Sequence, residues 1–175
     1  MRHPYRALFV SVVIVGTLLC GSQREEAAFP DEYSHPTLRG LTGVAIIVES
    51  IREEIERDGL TSEQIQTDVE LRLRKAGIRV LSEKERAETP GIPLLYVNVN
   101  VLKVKDAFLY AYSIHVALQQ LVLLERNTKI SGLATTWDTG SVGTEGESHL
   151  RDIRGGVADD VDKFINAYLA VNPKQ

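Results

Sequence analysis

Leu95, Val97, Val99 and Val101 alternate without a break with Tyr96, Asn98 and Asn100. A period of two over this length is the pattern of a strand with one apolar and one polar face. Tyr110, Tyr112, Ile114, Val116 and Leu118 repeat it against Ser113, His115 and Gln119. Asn127-Thr128 then offers a hairpin turn, and Ile130 to Trp137 is expected to return as the last strand. Three such strands in succession commit the chain to an antiparallel sheet with one face on a core and the other face wet.

The cover for the apolar face comes from helices. Thr61 followed by Gln64 is a capping box, and Ile65, Val69, Leu73 and Ala76 share one side at spacings of three and four. Gly77 is placed to end this helix in a left-handed cap. Ser82 with Glu85 is a second capping box, opening a short helix that Pro90-Gly91 breaks. A later helix is expected from Ser148, with Leu150, Ile153, Val157, Val161, Phe164 and Tyr168 on one face and Pro173 as its stop. Gly155-Gly156 inside it predicts close packing or a kink. Val44 to Val48 and Arg79 to Leu81 read as two further strands. The fold class expected is α+β: a two-layer sandwich with a mainly antiparallel sheet of four to five strands and two helices on one face.

The amino terminus carries Arg2 and Arg6, then fourteen uncharged residues from Ala7 to Cys20. That is the order of a secretory signal peptide, and it is short of the about 20 apolar residues of a membrane-spanning helix. Cleavage is expected after Ser22, giving a signal peptide over residues 1–22, a Pro-containing polar linker over 23–40 and one α+β domain over 41–172. An uncleaved anchor is the alternative, as is acylation of Cys20, which Leu19 immediately before it disfavours. Cys20 is the only cysteine, so the exported part is expected to form no disulfide and no thiolate metal site. Removing the leader takes away two arginines and no acid, which moves the net charge from −4 to −6. No basic cluster is left to neutralise a row of phosphates, which argues against nucleic acid as a partner.

The segment Asp68 to Ile78 (Asp-Val-Glu-Leu-Arg-Leu-Arg-Lys-Ala-Gly-Ile) resembles the helix-to-strand joint of small exported α+β domains in bacterial envelope assemblies. Tyr96-Val97-Asn98-Val99 is similar to their central strand. The amino-terminal domain of TolB, the curli-secretion lipoprotein CsgG and the LpoB activators of cell-wall synthases are of this kind. Leu150 to Ile153 and Phe164 to Leu169 are similar to segments of exported bacterial proteins of unassigned function. The resemblance spans most of Leu41 to Asn172. By fold analogy it implies a non-catalytic partner or scaffold role in the periplasm or outside the cell, and it carries over no functional residue.

Residues capable of chemistry are sparse. Trp137-Asp138-Thr139-Gly140-Ser141 contains the Asp-Thr-Gly-Ser string of aspartic proteases, which need two aspartates sharing a proton and therefore, here, a homodimer. Such protomers place a flap hairpin after the aspartate, whereas about one helix follows here. The competing expectation is a turn-rich strand exit from Asp138 to Gly146, since Asp, Thr, Gly and Ser dominate turns. Asp138, Ser141 and His149 supply the residue types of a nucleophilic triad without a nucleophile elbow. His35, His115 and His149 lack ligand spacing, and Glu53, Glu54, Glu56 and Asp58 read as a solvated acidic loop. No catalytic, metal or cofactor site is therefore expected. The feature left is a surface: Tyr96, Asn98, Asn100, Ser113, His115 and Gln119 are expected to gather on the polar face. Tyrosines and amides there suit recognition of another envelope protein or a saccharide.

Overall fold

The computed structural model describes residues 34–173. The expected leader, Cys20 and most of the expected linker lie outside that range. The chain is α+β, with four strands among the described residues in the order β1 (Ala45–Val48), β2 (Leu94–Val104), β3 (Leu109–Leu124) and β4 (Asn127–Gly146). β2–β3 and β3–β4 are antiparallel, while β1 runs parallel to β2. The parallel pairing follows from connectivity, because a long helical crossover separates the two strands. That crossover holds α1 (Glu53–Asp58), α2 (Ser62–Ala76) and α3 (Glu83–Glu88). A fourth helix, α4 (Ile153–Val171), closes the chain.

Local signals set the helix ends. The Thr61 hydroxyl accepts the Gln64 N–H at 3.3 Å, and Gly77 ends α2 at φ 83° with Ile78 N–H returned to Leu73 C=O at 2.9 Å. Both halves of the Ser82–Glu85 capping box are present in α3. The apolar face of β2 and β3 packs against Ile65, Val69 and Leu73 of α2 and Val157, Val161 and Phe164 of α4 in one core. A small separate cluster of Ala45, Leu81 and Leu94 lies at one end of the opposite face.

Several expectations are corrected. The acidic stretch Glu53–Asp58 is helix α1, seated by buried Ile55, and not a solvated loop. Arg79 to Leu81 makes only a single bridge, Val44 to Val80, so no fifth strand forms among the described residues. Together with the short α3 that the Ser82–Glu85 box predicts, the unexpected α1 brings the α-helices among the described residues to four, of which two were expected to cover the sheet. The final helix begins at Ile153 after a 3-10 turn over Glu147–Asp152. Leu38, placed in the linker by sequence, is fully buried in the core within a 3-10 turn over His35–Leu38.

The largest correction concerns residues 138–146, which continue β4 and form no glycine-rich loop. The glycines serve close approach within a strand. A Cβ on Gly140 would sit 2.6 Å from the Ile114 carbonyl oxygen, and one on Gly143 2.5 Å from the Tyr112 hydroxyl. Gly156 of α4 lies against Ile114 in the same way, at 2.9 Å.

Candidate functional site on the open sheet face

The register decides what the uncovered face contains. Tyr96, Asn98 and Asn100 stand opposite Ala117, His115 and Ser113 of β3, and Leu94 stands opposite Gln119. Ala117, His115 and Ser113 in turn face Asp138, Gly140 and Val142 of β4. All six residues singled out by sequence thus lie on one face. Two further members were not singled out for it: Glu49, just past β1, and Asp138, which the register carries onto this face.

Glu49 organises the β2 row. Its carboxylate accepts from the Tyr96 hydroxyl and from the Asn98 amide, and Asn98 in turn accepts from the Asn100 amide. The hydrogen bond from Tyr96, then that from Asn98, holds the Glu49 carboxyl below its usual range. The same bond raises the Tyr96 phenol, because ionising it would lose the donor. Across the face, His115 Nε2 lies 3.3 Å from Asp138 Oδ2, with both side chains about half exposed.

Next to Asn100 the face opens into a groove of about 300 Å3. It lies where the chain leaves β1: the last β1-side bond is Glu49 N–H to Val97 C=O, and the chain then turns into α1. Ser50 and Arg52 form one wall, Asn100 and Ser113 the polar floor, and Leu102 and Ala111 its aliphatic end. Arg52 donates to Val101 C=O and lies 3.4 Å from Glu54.

The residue types of a nucleophilic triad are not assembled. Asp138 points to the open face, whereas Ser141 is on the helix side and donates to Asp160 Oδ2 at 2.8 Å. His149 lies in the 3-10 turn beside Ser148. Asp160 itself is buried between Ser141 and Lys163, pinning α4 to β4. The Asp-Thr-Gly-Ser string sits in mid-strand, with no turn to hold a carboxylate against a second. Among the described residues no three His, Cys, Asp or Glu groups converge as a metal site, and no helix is long and apolar enough to cross a membrane. No protein-family model matches the chain, and no curated protein matches it either.

Proposed function

We propose that this is an exported, non-catalytic accessory protein that binds another cell-envelope component through the open face of its sheet. The observation that carries the reading is the row Glu49, Tyr96, Asn98 and Asn100, already ordered by its own hydrogen bonds on the sheet face opposite the core that α2 and α4 cover among the described residues. A pre-ordered polar row on a rigid strand loses little conformational entropy when a partner arrives. Export rests on the amino-terminal sequence, with Arg2 and Arg6 before the apolar run.

Co-sedimentation with isolated native envelopes tests the reading. The parent protein is expected to sediment with them, and the Ser113→Arg/His115→Arg variant, which crowds the open face, is expected to stay in solution. A variant on the helical layer, Arg74→Glu, should bind like the parent. Association that is absent, or that ignores the open-face substitutions, counts against the proposal. The competing hydrolase reading requires acid proteolysis that Asp138→Asn abolishes; no such activity is expected from either protein.

A further inference from the structure

We propose that the groove at Asn100 is a saccharide site, and that Glu49, acting through Asn98, decides which polar atoms the site presents. The inference rests on the open-face reading and narrows its ligand to a neutral, hydroxyl-rich one.

The orientation argument begins at Glu49. A carboxylate accepts and does not donate, so the Asn98 amide must meet it with N–H. That turns the Asn98 carbonyl oxygen away from Glu49 and towards Asn100, which donates to it. Asn100, exposed at the groove, therefore keeps its carbonyl oxygen and its second N–H outside the bond to Asn98. Neither amide is at liberty to reverse while Glu49 is ionised, and its two hydrogen bonds favour the ionised form.

The ligand class follows from what surrounds that amide. Asn100, Ser50 and Ser113 each both donate and accept, which is the hydrogen-bonding character of a sugar hydroxyl. A carboxylate or phosphate only accepts; it would oppose the Asn100 carbonyl oxygen and the Glu49 charge. Arg52 contributes further N–H donors, its charge offset by Glu54. Leu102 is 54 % exposed and stands opposite Ala111, giving an aliphatic patch for the C–H face of a pyranose ring. The volume of about 300 Å3 is at the small end of ligand pockets, enough for one or two sugar rings.

The test is an NMR titration of isotope-labelled protein, expressed with its own amino terminus, with chitotriose, maltotriose and cellotriose at millimolar concentration. Saturable shifts are expected for at least one trisaccharide, centred on the amides of Ser50, Asn100, Leu102 and Ser113. Asn100→Ala should abolish them. Glu49→Gln should weaken binding about tenfold, as for loss of one well-placed hydrogen bond. It should also move the side-chain amide signals of Asn98 and Asn100 while leaving the urea midpoint near that of the parent, a combination that a merely structural role would not produce. Unmoved amide signals with unchanged affinity would overturn the positioning role of Glu49. The absence of saturable shifts with all three sugars, or competition for the same amides by an extended peptide alone, would overturn the saccharide site. If envelope association persists in that case, the broader reading stands; if sugars bind but envelopes do not, the broader reading is the one that fails.

Discussion

At the scale of single residues, Trp137 is the most consequential side chain in β4. It is 5 % exposed and sets its ring edge against Phe164, with centroids 5.3 Å apart at 67°. Truncation to alanine is expected to cost about 3–5 kcal/mol in denaturant unfolding. Stability within about 1 kcal/mol of the parent would remove Trp137 from the core. Strict alternation puts Leu133 on the same side as Trp137, whereas Leu133 is 57 % exposed on the open face. A bulge intervenes: Leu118 pairs with Trp137 but Gln119 pairs with Thr135, so Thr136 is extra and the sides exchange. Thr136 is held by Gln120 at 2.8 Å and by the Thr37 hydroxyl on its carbonyl at 3.1 Å, contacts that no local pattern announces. Gly143 makes a second residue-scale test. Gly143→Ala would drive a methyl into Tyr112 and is expected to cost about 1–3 kcal/mol. Gly132→Ala, with nothing within 4 Å of the added carbon, serves as the near-neutral control in the same unfolding assay.

Elements were legible wherever their determinants are local. The ends of α2 and the start of α3 were readable because a cap lies within four residues of the groups it satisfies. α1 was not, since its six residues expose most of their side chains and tertiary contacts hold it. Tyr110 donates to Asp58 at 2.6 Å, Lys103 lies 3.0 Å away, and both keep the Asp58 carboxyl below its usual range. β4 was shortened by expectation because Gly140 and Gly143 read as loop residues, although Ile114 and Tyr112 require their missing side chains. The α3 cap offers a pH test. The Ser82 backbone N–H, then its hydroxyl, then Arg79 lower the Glu85 carboxyl from 4.5 to about 2. A depressed carboxyl favours the folded cap above its unfolded value, so the contribution is complete above about 4.5 and fades as pH falls towards about 2. Ser82→Ala removes the hydroxyl bond and is expected to raise the NMR-observed Glu85 titration towards 4.5. A titration that does not move would mean the hydroxyl contributes nothing to the cap.

For the molecule as a whole, the polar face was legible but its organisation was not. Period two places Tyr96, Asn98 and Asn100 on one side, yet only the pairing of β1 with β2 brings Glu49 to them, and only the β3–β4 register brings Asp138 to His115. The same limit applies to where the packed unit begins. Pro36 and the polar residues around it read as a linker up to Gly40, but the chain there is tied to the far end of α4. Asn172 donates to Leu38 C=O at 2.9 Å and accepts from Gly40 N–H at 2.7 Å, and Tyr168 donates to Leu41 C=O at 2.8 Å. Leu38 itself belongs to the core. Burial of one leucine contributes about 2–5 kcal/mol when judged by truncation to alanine, a large share of the about 5–15 kcal/mol that stabilises an ordinary domain. A protein beginning at Leu41 lacks that side chain and two of those three hydrogen bonds. It is expected to unfold at clearly lower urea concentration than one beginning at Ser34, and Leu38→Ala in the full chain should reproduce most of the loss. Equal midpoints for the two truncations would show that residues 34–40 are a tether after all, and that the folding unit starts where the strand pattern begins.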